Sequence, residues 1–551
     1  MRQAAPPAPG RGVLTLVLLS VVAGALAALA FEPVGIGWFA PLAMALIWAS
    51  LQRGSHRSAS LLGLCFGATF SAILLWWLVE SVGWVAWIAL CAAVTAILTA
   101  AAVGLRAVGR VPLAPLWGAA VWVSVEALRA SWPLGGMPWG QLGFAAVDTP
   151  WKSLLPYAGV SGTGFLTALA GFALAELYTR RTAIEITLAS VPVLAVGATA
   201  VSPYQVSIDG TTVVGAVQGG VPGDGTDLVA HHRQVTRNHL EATVELAARL
   251  RAEGGELSLL IWPENATAVD PIRDTTARES IQRAAAAIDA PVLVGGIVDG
   301  PDELSAYNRG ILWLPDGSRA GTYTKTHLVP FGEYIPWRSV VGTWFARFEQ
   351  IPRDMLPGRG EGPIDVDGIL VADAICFDVA YEDVLADQVR RGASLAVVQT
   401  SNATFFGTSQ PEQQFEITRA RAAELARTIV VASTNGVSGV VDADGSVRDR
   451  ALTGITATLV AEVELRSGLT PAVRFQAARS AATFGAASLG LLATGLRWMR
   501  QRRRMRPATL SNPRVGVQPS DPHVDADEVE EECRVPQQAE PRGPNSSPAG
   551  G

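Results

Sequence analysis

The chain has 551 residues, 49% of them hydrophobic, and a mean hydropathy of +0.28, which is too apolar for an ordinary soluble enzyme and long enough for two or three domains. The net charge of −6 is modest and the basic residues fall in short clusters, which excludes a nucleic-acid-binding face. Of four cysteines, Cys65 and Cys91 lie in apolar runs, Cys533 lies in an acidic tail and only Cys376 lies in the large polar region, which argues against a disulfide framework.

A bilayer core about 30 Å thick needs roughly 20 mostly apolar helical residues. About eight nearly uncharged runs approach that length: residues 12–31, 35–51, 59–79, 83–103, 111–128, 155–177, 183–201 and 481–498. The fifth is the least regular, because it carries Glu126 with Arg129 just beyond, and these need a buried partner or a reach to the interface.

Basic residues in short loops stay on the cytoplasmic side, and here they alternate. Arg2 and Arg11 precede the first run; Arg53, His56 and Arg57 follow the second; Arg106 and Arg110 the fourth; Arg180 and Arg181 the sixth; Arg500, Arg502, Arg503 and Arg504 the eighth. Both termini are therefore expected in the cytoplasm and residues 202–479 outside it. Ala25-Leu26-Ala27 also resembles a signal-peptide cleavage site, but the long apolar run and the unbroken alternation favour a retained span.

The composition predicts a helical bundle of seven spans over 1–203, a mixed α/β domain over 204–479, a final span over 480–499 and a basic, then acidic, disordered tail over 500–551. Within the α/β domain, β-rich stretches at 211–217, 257–262, 292–298, 369–376, 395–400 and 429–433 alternate with helical ones at 229–253, 274–288 and 413–427. That order predicts helices layered on sheets. The charges of the last helix, Glu416, Arg419, Arg421, Glu424 and Arg427, read as a solvated face.

Three residues carry chemistry only as a set. Cys376 ends an apolar strand and opens into Phe377 and Asp378, where a thiol faces a cleft and the next backbone N–H is free for an oxyanion. Taken alone it reads as a buried core thiol. Glu264, in Ile261-Trp262-Pro263-Glu264-Asn265, also follows a strand; half-shielded by Trp262, it suits a general base, whereas alone it reads as a turn carboxylate. Lys325 follows the alternating 321–324 and supplies an ammonium for a thiolate and an oxyanion, against a surface lysine as the plain alternative. His327 offers a cysteine–histidine dyad, but a site with a carboxylate base already has its proton acceptor. Glu333 either orients Lys325 or caps a turn. No metal-ligand spacing occurs, with His231 and His232 adjacent and His239 isolated on a helix, so neither metal nor cofactor is expected.

In the order Glu, Lys, Cys these stretches resemble the nitrilase superfamily, whose members carry such a triad on an α-β-β-α sandwich. The embedding between a multi-span bundle and one last span, with the stretch Lys325-Thr326-His327-Leu328-Val329-Pro330-Phe331-Gly332-Glu333-Tyr334, resembles the apolipoprotein N-acyltransferase family of bacterial lipoprotein maturation. The stretches Trp122-Val123-Ser124-Val125-Glu126-Ala127-Leu128-Arg129 and Pro138-Trp139-Gly140-Gln141-Leu142-Gly143 are similar to that family's membrane half.

The resemblance implies Glu264 as base, Lys325 as oxyanion lysine, Cys376 as nucleophile, and Glu333, Phe377 and Asp378 in support. It also implies a phospholipid acyl donor, a diacylglyceryl lipoprotein acceptor, a place in the bacterial cytoplasmic membrane and action as a monomer. The segment 337–348, rich in Trp and Phe, is expected either at the lipid interface or packed on its own domain. The sequence departs from the family after Gly219, where 222–228 lacks a tryptophan, at Ala403-Thr404-Phe405, and at Gln414, where a histidine is common. Two other readings stay open: a membrane-tethered amidase or nitrile hydrolase, and a catalytically idle lipoprotein-binding scaffold.

Overall fold

Every expected apolar run becomes a helix, the form in which a backbone placed in lipid satisfies its own hydrogen bonds. The computed structural model describes residues 9–223, 231–342, 348 and 351–504. The first half comprises α1 (Pro9–Leu29), α2 (Phe39–Arg53), α3 (His56–Leu74), the short α4 (Trp77–Ser81), α5 (Trp84–Val108), α6 (Ala114–Ser131), α7 (Leu155–Arg180) and α8 (Ala183–Val201). Five segments are long and apolar enough to cross a membrane, at Gly12–Leu29, His56–Leu74, Trp84–Val108, Pro150–Arg180 and Ala183–Val201. The other three of the eight expected spans are not among these: the run in α2 is shorter, with 15 residues, the run in α6 carries two charges, and the third is the last run, 481–498. Both charges are buried: Glu126 accepts from Trp122 Nε1 at 2.9 Å and Leu142 N at 3.0 Å, while Arg129 donates to the carbonyls of Trp139 and Gly140.

The second half is built of two facing sheets. The first contains β1 (Ser207–Gln218), β2 (Leu259–Thr267), β3 (Val292–Asp299), β4 (Ser305–Trp313), β5 (Arg319–Thr324) and the two-residue β6 (Asp354–Met355). The second contains β7 (Ile364–Val366), β8 (Ile369–Ile375), β9 (Leu395–Thr400), β10 (Ile429–Ser433), β11 (Gly439–Val441) and β12 (Val447–Arg450). A last strand, β13 (Ala457–Ser467), returns to the first sheet, giving the orders β13-β1-β2-β3-β4-β5, with β6 beside β4, and β12-β11-β10-β9-β8-β7.

Each sheet has a parallel centre, β1-β2-β3 and β8-β9-β10, flanked by antiparallel strands. Parallel strands need crossover helices, which cover the outer faces. Helices α9 (His232–Glu253) and α10 (Thr275–Ile288) pack Leu240, Leu246 and Ile281 on Trp262 and Val294 of the first sheet. The second sheet carries α12 (Glu382–Arg390) and α13 (Gln410–Leu425); α11 (Arg338–Val341) and α14 (Pro471–Arg474) are single turns, and α15 (Gln476–Arg504) holds the last apolar run. The resulting α-β-β-α sandwich is the nitrilase-like architecture.

Helix α13 differs from expectation. Its charges do not face water: Glu416, Arg421, Glu424 and the following Arg427 are all at most 5% exposed. The helix lies between the second sheet and the membrane half, so both faces are covered, and each charge has a partner. Glu416 accepts from the Glu32 backbone N–H, Arg419 forms two hydrogen bonds to Asp148, and Arg421 pairs with Glu424. Of the aromatic segment 337–348, Trp337 is exposed and residues 343–347 lie outside the described set, as do the acidic tail and Cys533.

Candidate active site

Lys325 directly follows β5, and its backbone N–H donates to the Asn308 carbonyl of β4 at 2.9 Å, which fixes the side chain between the sheets. It is 1% exposed. Its Nζ lies 2.8 Å from Glu333 Oε1 and 3.3 Å from Glu264 Oε1. Burial alone would lower the lysine pKa, but Glu264 and Glu333 outweigh it and hold the ammonium well above its ordinary value.

Glu264 projects from β2. Strand β2 is irregular between Trp262 and Thr267 in its pairing with β3, and such irregularities re-aim side chains. Here they separate two residues expected to touch. Trp262 is buried beneath α9, where its indole donates to Thr243 Oγ1 at 3.0 Å, so it does not shield the carboxylate. Glu264 is enclosed by polar groups instead: Oε1 accepts from Asn308 Nδ2 at 2.7 Å, and Oε2 from the Ser401 backbone N–H at 2.9 Å.

Cys376 stands where β8 ends and a tight turn, Cys376–Ala380, begins. Its φ of +52° is in the left-handed region, which costs a non-glycine residue about 1 kcal/mol or more. Asn265 and Asn402, next to Glu264 and Ser401, share that conformation, so backbone strain gathers at the site. The residue remains partly exposed. Burial of the sulfur, with Glu264 next in weight, pushes the thiol up to about 12, against the pull of Lys325 and a hydrogen bond from Thr400. The thiol is thus neutral at rest, and forming a thiolate requires a base and the ammonium together. Its sulfur lies 3.9 Å from Gln414 Oε1, within reach of a thiol donor.

Asp378 ties two of these segments together. Its carboxylate accepts from His327 N at 2.7 Å, Tyr323 OH at 2.8 Å and Ile375 N at 3.3 Å, so one side chain fixes the Lys325 loop to the Cys376 turn. Burial raises its pKa, and Lys325 counteracts. Glu333 reaches Lys325 with Oε1 and receives the Val329 N–H on Oε2 at 2.7 Å. The Phe377 ring stacks on Trp139 from the membrane half, with centroids 6.2 Å apart. His327 is engaged elsewhere, parallel to the Tyr381 ring at 3.6 Å and 3.1 Å from Asp383. No cluster of metal-ligating side chains occurs among the described residues.

The residues 23–173 match the family model described as the apolipoprotein N-acyltransferase N-terminal domain, and 213–468 match the carbon-nitrogen hydrolase model. The apolipoprotein N-acyltransferase of Mycolicibacterium smegmatis is 32% identical over 496 residues, covering 85% of this chain and 83% of that protein. The chain belongs to the apolipoprotein N-acyltransferase family. The enzyme of that name from Pseudomonas putida is 29% identical over 483 residues, 83% of this chain and 93% of the relative. Among solved structures, Saccharomyces cerevisiae Nit3, of the nitrilase superfamily, is 17% identical, spanning 50% of this chain and 97% of that one with a TM-score of 0.35.

Within this apolipoprotein N-acyltransferase framework, Asn308 is the residue sequence reading missed. Its Nδ2 bridges Glu264 at 2.7 Å and Glu333 at 3.2 Å, holding both carboxylates on one ammonium. The available signal was a polar residue in phase with Gly310 and Leu312 on an otherwise closed strand face. Of the departures from the family pattern, Gln414 touches the thiol, Phe405 packs edge-on against Trp77 of the membrane half, and 224–228 lie outside the described residues.

Proposed function

We propose that the chain transfers an acyl group from a phospholipid to the N-terminal amine of a diacylglyceryl lipoprotein, through a thioester on Cys376. The observation that carries this reading is the meeting of Glu264 from β2, Lys325 just past β5 and Cys376 just past β8, with Lys325 between two carboxylates and acting on the sulfur. Glu264 takes the thiol proton, and the sulfur attacks the ester carbonyl carbon. Lys325 and the Phe377 N–H hold the oxyanion. Collapse of the tetrahedral intermediate breaks the ester C–O bond, and the lysophospholipid leaves with the proton from Glu264. The acceptor's α-amine then attacks the thioester and gives up a proton, and the C–S bond breaks to regenerate the thiol. Asn308, Glu333 and Asp378 position this apparatus.

The same proposal assigns residues 1–203 and 480–499 to the membrane as eight spans and 204–479 to its extracytoplasmic side, with 500–551 in the cytoplasm. The alternation of basic loops supports it. Every group of the site comes from one chain, so a monomer suffices. Confinement of both lipid-anchored substrates to one bilayer raises their effective concentration.

Intact-mass measurement of the full chain in phospholipid vesicles tests the covalent step. The native protein gains the mass of one acyl chain, and Cys376→Ala gains none. An adduct that persists in Cys376→Ala, or none under conditions where a lipoprotein peptide is acylated, overturns the mechanism.

A further inference from the structure

We propose that Gln413 is a positioning residue which locks α13 to the membrane half and thereby fixes Gln414 against the thiol of Cys376. The inference rests on Cys376 being the nucleophile. A glutamine amide offers two N–H donors and a carbonyl oxygen with two lone pairs. Gln413, 3% exposed, uses all four. Its Oε1 accepts from Trp139 Nε1 at 2.7 Å and Trp77 Nε1 at 3.1 Å, and its Nε2 donates to the carbonyls of Glu32 at 2.8 Å and Leu74 at 3.1 Å. Those partners come from four segments of the membrane half: the α1–α2 connection, the end of α3, α4 and the loop after α6.

The next residue faces the chemistry, since consecutive helical side chains diverge by about 100°. Gln414 Nε2 donates to Thr400 Oγ1 at 3.1 Å, and its Oε1 accepts from Gln410 at 2.9 Å, Asn402 at 3.0 Å and the Cys376 thiol at 3.9 Å. The thiol contact is the longest of these, as a sulfur donor requires. Trp139 adds a second path, because the ring that donates to Gln413 also stacks on Phe377, the neighbour of Cys376. The membrane half thus sets the direction of the resting thiol through one peptide unit of α13.

The full chain in phospholipid vesicles supplies the test, with Gln413→Ala, Gln414→Ala and the double variant. Two readings are taken: the first-order rate of acyl-adduct formation against phospholipid concentration, and the pH profile of Cys376 alkylation by iodoacetamide. Gln413→Ala is expected to slow the adduct step about tenfold, to leave half-saturation within about twofold, and to shift the alkylation profile; the double variant is no slower than Gln414→Ala.

A native rate in Gln413→Ala, a change in half-saturation alone, an unchanged alkylation profile, or two effects that multiply would each overturn the proposal. Should Gln413→Ala not fold, Trp139→Phe removes a single donor; it is expected to slow the adduct step about threefold, and a native rate there overturns the coupling. A native chain that forms no adduct defeats the nucleophile reading instead, and the alkylation profile still decides whether Gln413 acts on the thiol.

Discussion

Two clusters of ion pairs lie on either side of the Cys376 turn, and they are composed differently. Around Lys325 one ammonium serves two carboxylates, Glu264 and Glu333, leaving a net negative charge beside a neutral thiol. Around Arg421 the charges balance: Arg421 pairs with Glu424, Arg479 pairs with Glu382, and Arg421 also donates to the carbonyls of Val379 and Ala380. A balanced, hydrogen-bonded cluster holds segments together. An unbalanced one, kept dry, retains a carboxylate able to accept a proton. Charge excess, rather than burial alone, marks the proposed reactive site.

The largest expected effect comes from removing the cation of the unbalanced cluster. Lys325→Met leaves two carboxylates facing each other and takes away the charge that draws the Cys376 thiol down. Acyl-adduct formation, followed by mass spectrometry, is expected to fall about 10²-fold to 10³-fold or further. A residual rate within a few-fold of native would erase the distinction between the clusters. Glu424→Gln sharpens it from the other side. The new amide N–H faces the Arg421 guanidinium, leaving a buried cation unpaired at a cost of about 3–5 kcal/mol. Thermal denaturation in detergent should show that loss, while the adduct rate of the folded fraction stays close to native; a rate loss as large as that of Lys325→Met, at unchanged stability, would break the comparison.

The unbalanced cluster was largely legible in the sequence, because Lys325 and Cys376 sit just beyond the end of a strand and Glu264 follows the apolar 257–262, although β2 itself runs on to Thr267. The central strands β9 and β10 were legible from the apolar runs 395–398 and 429–432. The balanced cluster was not. The pattern of α13 is that of an amphipathic helix, and a periodic charge pattern cannot tell whether water or another layer of protein meets the charged face. Asn308 and Gln413 were hidden because their value lies in partners distant in sequence. Trp262 was misplaced because the irregularity in β2 breaks the simple alternation on which a strand reading depends.

The smallest expected effect lies on the first sheet's side, where α9 and α10 do meet solvent. Arg233 of α9 makes two 2.6 Å bonds to Asp274, the residue that caps α10 by accepting from Ala277 N at 2.8 Å. The Arg233 guanidinium, then the Ala277 N–H, hold the Asp274 carboxyl down at about 2. A carboxyl whose pKa is depressed on folding contributes stability above its unfolded pKa of about 3.9, and that contribution disappears as pH falls through about 2. Because the arginine side chain is 46% exposed, Arg233→Ala should cost only about 0.2–1 kcal/mol at neutral pH. Amide hydrogen exchange in the first turn of α10 measures it locally: faster exchange in the variant at pH 7, with the difference shrinking toward acid. A loss as large as that of Glu424→Gln would mean that solvent does not screen this pair, and the contrast between covered and open helices would fail.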